Sequence, residues 1–115
     1  MKISEFAAAI GAEICQSEFD DAELTSAYTS DLLSDVMAHA KEGGALITIQ
    51  AHKNTVAVAT LVNISVLVIC NSRPLPDDML DAAKEEGIAV IRTNENQFTV
   101  SGKLWNMLHS GQDVS

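Results

Sequence analysis

The run Val66-Leu-Val-Ile-Cys70 constrains this chain more than any other part of it. Five apolar residues in a row, with no polar alternation, describe a central strand covered on both faces, as strands of parallel sheets are. With Ile64 and Ser65 included, the run is still far short of the roughly 18 residues a membrane-spanning helix needs. A strand buried on both sides requires helices above and below it. The rest of the chain supplies them at short intervals.

Ile3, Phe6 and Ile10 recur at helical spacing, which predicts a first helix with Ser4 as its N-cap and Gly11 as its stop. Ala12 to Gln16 suits a short strand, Ser17 to Glu23 is an acidic loop, and Leu24 to Thr29 alternates like a second strand. From Ser30 to Lys41 a helical stripe of Leu32, Leu33, Val36, Met37 and Ala40 ends at Gly43-Gly44. Ala45 to Gln50 is a strand. Thr55 to Val62 is rich in β-branched residues, yet Asn54 is a good N-cap and a strand follows at once, so a helix is expected there. Pro76 suits the first position of a helix that Gly87 ends, with Met79, Leu80 and Ala83 inward. Ile88 to Arg92 is another buried strand. Gln97 to His109 closes as a helix whose apolar residues are Phe98, Val100, Leu104, Trp105 and Leu108. This alternation predicts one α/β domain over residues 1–110, its mixed, mostly parallel sheet flanked by helices, with a polar tail at 111–115.

Composition narrows the partners. Sixteen acids against seven basic residues give a net charge of −9, and Lys2, Lys41, Lys53, Arg73, Lys84, Arg92 and Lys103 are scattered. Phosphate backbones and anionic membranes both require clustered cations, so neither nucleic acid nor a membrane surface is an expected partner. The amino-terminal residues lack the apolar segment of a secretory signal. Cys15 and Cys70 lie far apart in apolar stretches, which suits reduced, buried thiols in a cytoplasmic protein.

In an open α/β sheet, ligands sit outside the carboxyl ends of the strands. The segments there are polar, and they nominate His52, Lys53, Asn71, Arg73, Thr93 and Asn94 for a small anion or nucleotide; the competing reading makes them ordinary turn and cap residues. No cofactor is expected. Ser101-Gly102-Lys103 is not a phosphate loop, because Gln97 stands where its first glycine belongs and Leu104 replaces the Ser or Thr. His39, His52 and His109 never pair at i+3 or i+4, and no Cys-x-x-Cys occurs, so no metal site is expected. Asp31 and Asp35 share a helix face in this reading, as a solvated surface pair with Asp31 helping the helix start. Cys70 reads as an inert thiol. No constellation for catalysis emerges.

Two blocks carry a resemblance over nearly the whole chain. These are Ser30-Asp-Leu-Leu-Ser-Asp-Val-Met37 and Gln50-Ala-His-Lys-Asn54. With Asp21 to Ser30 before them, they resemble the stand-alone DRTGG domain family. Its members are similar to the N-terminal domain of HPr kinase/phosphorylase, and related domains accompany phosphotransacetylase and CBS-containing pyrophosphatase modules. The resemblance implies an α/β domain that forms dimers and plays a regulatory part in bacterial-type metabolism. The name-giving motif falls on Asp21 to Ala27: Asp21 and Thr25 match, Ala22 replaces the Arg, and Ser26-Ala27 replace the Gly pair. The kinase part of HPr kinase is a separate phosphate-loop domain that this chain lacks, so no kinase activity is implied.

The expected function is therefore a non-catalytic regulatory and dimerisation module. The first helix, the 24–29 strand and the 30–42 helix are the expected pairing face of a homodimer. The alternative is a sensor for a small anionic metabolite or adenine nucleotide at the strand ends. A protein partner would suit either role.

Overall fold

The apolar run at 66–69 lies in the middle of a five-stranded sheet, every one of its side chains buried. The computed structural model describes residues 1–109; the polar tail expected at 111–115 falls outside the described residues. Elements follow in the order α1 (Ile3–Ala9), β1 (Glu13–Gln16), β2 (Ala27–Thr29), α2 (Leu33–His39), β3 (Ala45–Thr48), α3 (Lys53–Leu61), β4 (Val66–Ile69), α4 (Asp77–Glu86), β5 (Ala89–Arg92) and α5 (Gln97–Leu108). The strand order is β1-β5-β4-β3-β2. β2, β3, β4 and β5 run parallel, and β1 joins the far edge antiparallel to β5. The expected mixed, mostly parallel architecture is the observed one.

The sheet's pleat sorts its residues into two cores. Leu46, Leu67, Ile69 and Val90 face α2, α3 and α4 through Val36, Val56, Ala59, Met79 and Ala83. Ala45, Ile47, Val66, Val68 and Ile91 face α1 and α5 through Ile3, Phe6, Val100 and Leu104. The chain steps across β2, β3, β4 and β5 one strand at a time in one direction. Right-handed crossovers then place all three connecting helices on the same face. The opposite face falls to the terminal helices.

Topology also decides α3. Thr55, Val56 and Val58 prefer strands, but parallel β3 and β4 require a crossover between them, and tertiary context outweighs propensity. The cap differs from expectation: the His52 imidazole, not Asn54, caps α3, its Nδ1 accepting from the Asn54 N–H at 3.0 Å. Ser4 is likewise inside α1 rather than its N-cap. Its hydroxyl and N–H bond the Asp21 carboxylate, while the Glu5 carboxylate caps the start by accepting from the Lys2 N–H at 2.9 Å. Gly11 and Gly87 do stop their helices, at φ of 65° and 67°.

α2 is shorter than expected. It begins at Leu33, and of its apolar stripe Val36 alone is fully buried, leaving Leu32 and Met37 exposed. Asp31 lies before the helix rather than on its face. In α5, Val100 and Leu104 enter the core as expected, whereas Phe98 and Trp105 stand in solvent. α1 behaves oppositely, with Ile3, Phe6 and Ala7 buried against its own sheet, so it has little apolar surface left for a second subunit.

Three carboxylates tie surface segments together, and each has its pKa held below the ordinary carboxylate value. The Ser4 hydroxyl and N–H lower Asp21, the Tyr28 hydroxyl lowers Asp35, and the Cys15 thiol followed by Arg92 lowers Glu13. A depressed native pKa favours the fold above the unfolded value and loses that support as pH falls through the native one. Thermal melts across pH 7 to 2.5 are therefore expected to show a falling midpoint that begins near pH 4, where free carboxyls protonate. An unchanged midpoint down to pH 3 would contradict these linkages.

Candidate functional site

The carboxyl ends of β4 and β5 are where the chain turns to opposite faces, β4 leading to α4 and β5 to α5. Such a switch point ordinarily opens a ligand crevice. Here the loops close it. The Asn71 N–H donates to the Glu95 carbonyl at 3.0 Å, the Ser72 N–H to the Thr93 carbonyl at 2.9 Å, and the Thr93 N–H to the Ile69 carbonyl at 2.9 Å. Asn71 and Ser72 both take left-handed φ, 59° and 50°, to make these bonds. The Thr93 hydroxyl accepts from the Glu95 N–H within its own turn. Asn71 and Thr93 thus come together, but as the stitches of a sealed seam.

His52 and Arg73 meet elsewhere. With Ile49, Gln50, Ala51 and Pro74 they line a shallow depression of about 270 Å³ beside the ends of β3 and β4. Lys53 and Asn94 are exposed and do not line it. The six nominated residues are therefore not one cluster.

The residue that organises this end is one the sequence placed on a helix. The Asp31 Oδ1 accepts from the Thr48 hydroxyl at 2.8 Å, the Ile49 N–H at 2.9 Å and the Gln97 amide at 3.0 Å. One carboxylate oxygen thereby joins the β2–α2 loop, the end of β3 and the first residue of α5. No sequence signal separates such a residue from an ordinary N-cap, because its partners lie 17, 18 and 66 positions away. The nearby Cys70 thiol is fully buried and pushed up to about 11, mainly by burial and further by the Asp31 and Glu95 carboxylates. Cys15 is likewise raised to about 11 by burial and by Glu13. A thiol so raised carries little of the thiolate form near neutrality.

The other end of β2 holds the motif run. Thr25 and Ser26 pack against Gly43-Gly44: the Ala45 N–H donates to the Ser26 carbonyl at 2.9 Å, and the Thr25 N–H to the Gly43 carbonyl at 3.3 Å. A Cβ on Gly44 would stand 2.7 Å from the Ser26 hydroxyl and 3.0 Å from its carbonyl. The close approach that a Gly pair at 26–27 would permit is supplied instead from the facing loop. Gly44→Ala is expected to cost about 1–3 kcal/mol of stability by overpacking, read by chemical denaturation. A loss under about 0.5 kcal/mol would contradict the close approach of the two loops.

Beside this junction lies a cavity of about 610 Å³ between β2 and the last turns of α5. Tyr28, Asp35 and His39 form a small surface network on the other side of β2: the Tyr28 hydroxyl donates to Asp35 Oδ2 at 2.7 Å, and His39 Nδ1 lies 3.0 Å from Asp35 Oδ1. Among the described residues no His, Cys, Asp and Glu cluster could hold a metal ion, and no helix is long and apolar enough to cross a membrane.

Comparison with known proteins gives the same architecture. No curated protein matches the chain. A solved structure of the CBS and DRTGG domains of the regulatory region of Clostridium perfringens pyrophosphatase, complexed with its activator diadenosine tetraphosphate, superposes with a TM-score of 0.70 at 17% identity. The match covers 87% of this chain and 44% of that one, so the chain spans less than half of that structure. The model of the DRTGG domain family matches residues 5–107, and the chain belongs to that family.

Proposed function

We propose that the chain is a non-catalytic regulatory and dimerisation module that pairs with a second copy along the β2 edge of its sheet. The observation that carries this reading is the apolar surface around that edge. β2 is three residues long and pairs with β3 alone, so its outer edge is open among the described residues. Leu32 is 65% exposed and Phe98 is 87% exposed. The Asp31–Gln97 bond brings their backbones to the same end of the edge, since each is the next residue along the chain. Met37 extends the surface on α2. Large apolar residues gathered beside an open strand edge are costly in water and mark an interface. The pairing face is thus narrower than the expected one, because α1 keeps its apolar side inside.

A regulatory role draws support from the company this fold keeps, since the superposed pyrophosphatase segment is a regulatory region. Free thiols at Cys15 and Cys70 suit a reducing compartment such as the cytoplasm. Light scattering at micromolar concentration tests the pairing: twice the 12.3 kDa of the chain is expected. A clean monomer there would rule out obligate dimerisation.

A second reading is a sensor for a small anion or adenine nucleotide, and the meeting of His52 and Arg73 in one depression favours it. Lys53, Asn71, Thr93 and Asn94 would then have secondary parts at most. A nucleotide panel should raise the melting midpoint, and Arg73→Ala should abolish the shift. A panel that moves nothing would end this reading.

A further inference from the structure

The cavity between β2 and the last turns of α5 differs from the rest of the surface in charge. The chain carries sixteen acids and seven Lys or Arg residues. Among the described residues no acid lines this cavity; Lys41 is its one Lys or Arg, and the Met1 ammonium that also lines it is paired with Glu23. Among the described residues the Lys41 ammonium, like the Lys53 ammonium and the Arg73 guanidinium, has no carboxylate partner, whereas Lys84, Arg92 and Lys103 are each paired with a glutamate. An unpaired cation in a hollow that no described acid lines, on an acidic protein, attracts one anionic group.

The walls supply the second half of the recognition. Trp105 is 65% exposed at the cavity, and its indole stacks on the His109 imidazole with ring centroids 3.8 Å apart. The stack braces an aromatic face that nothing in the core needs. Leu24 and Ile47 give the floor an apolar character. Thr25 and Ser26 add polar residues to its lining. At about 610 Å³ the hollow has the volume of sites that take small organic ligands. The Gly43-Gly44 loop packed on Thr25 and Ser26 fixes the polar rim in place.

We infer that this cavity binds a small planar ring carrying one anionic group, the ring lying against Trp105 and the anion meeting Lys41. The site is at the amino ends of the parallel strands, opposite the His52 and Arg73 depression. It requires neither the pairing of two chains nor that second reading to be correct. A nucleoside monophosphate and an aromatic carboxylate share this chemistry, and they are separated by testing both.

Trp105 is the sole tryptophan, so its indole N–H gives one resonance that reports on this wall alone. The full chain, labelled with nitrogen-15, is titrated separately with adenosine monophosphate, phenylacetate, adenosine and inorganic phosphate. The expected result is saturable movement of the indole resonance with at least one of the two ring-bearing anions, at lower concentration than with adenosine or phosphate. Movement with adenosine monophosphate alone assigns a nucleotide, and movement with phenylacetate alone assigns a carboxylate. Lys41→Met, at an exposed position, should weaken that binding roughly tenfold, the size of one charge contact, while leaving the spectrum of the free protein otherwise intact. Trp105→Ala, followed by calorimetry, should weaken it by a similar factor through loss of the stacking face. The proposal is overturned if neither ring-bearing anion moves the indole below about 5 mM. It is equally overturned if adenosine binds as well as its monophosphate while phenylacetate does not bind, if Lys41→Met binds like the parent, or if shifts are confined to His52 and Arg73.

Discussion

Leu67→Ala is expected to lower the unfolding free energy by about 3–4 kcal/mol, within the span measured for leucine truncations in packed cores. Leu67 lies in the central strand with Leu46 and Val90 beside it in the flanking strands, and it is fully buried. Over it lies the helical layer of Val56, Ala59, Met79 and Ala83. Those helices are anchored by many other side chains and cannot close on the vacated volume, so a cavity remains beside the lost transfer free energy. For a domain of this size the loss lowers the melting midpoint by roughly 10–20 °C. Leu61→Ala is the matched control: the same atoms are removed from a side chain 72% exposed, and less than about 0.5 kcal/mol should follow. Chemical denaturation of both variants reads the difference. Equal losses would mean that the 66–69 strand is not the centre of the core.

The second large effect is expected at Asp31. Asp31→Ala removes the acceptor for three donors, and two of them are costly to strand. The Thr48 residue is fully buried, and the Ile49 N–H has no strand partner in its place. Hydrogen bonds to a charged acceptor each contribute about 1.5–3 kcal/mol, and orphaned donors retain their desolvation cost. Shared among three donors on one oxygen, the expected loss is about 3 kcal/mol rather than the sum. Asp31→Asn keeps a carbonyl oxygen in reach and should cost about 1 kcal/mol. In the Thr48→Val background, Asp31→Ala should cost clearly less than it does alone, because a principal donor is already gone. Strict additivity of the two changes would show that Asp31 does not hold the end of β3.

These two residues show what could be read from the chain and what could not. Leu67 was legible because burial on both faces leaves an uninterrupted apolar run, a local property of five residues. α3 was legible despite its β-branched residues, since short polar turns and an immediately following strand leave room for a crossover. Asp31 was not legible as a junction, for its partners come from three elements distant in sequence. Phe98 and Trp105 misled for a related reason. Helical spacing marks an apolar stripe, but it does not say how much of the stripe one sheet can cover, and Val100 with Leu104 already fill that contact. The surplus is the surface on which the function proposed for this chain depends. The strand-end residues were legible individually as turn formers. That Asn71 and Thr93 seal the crevice between them follows from two left-handed residues, which composition does not reveal.

Sedimentation velocity of the parent chain beside Phe98→Asp, at matched concentrations of tens of micromolar, addresses the pairing most directly. Phe98 is 87% exposed and contributes almost nothing to the chain's own core, so the variant should keep its circular dichroism spectrum. The parent is expected at twice 12.3 kDa and the variant at 12.3 kDa. A parent that sediments as a monomer, or a variant that pairs as well as the parent, would contradict the proposed pairing.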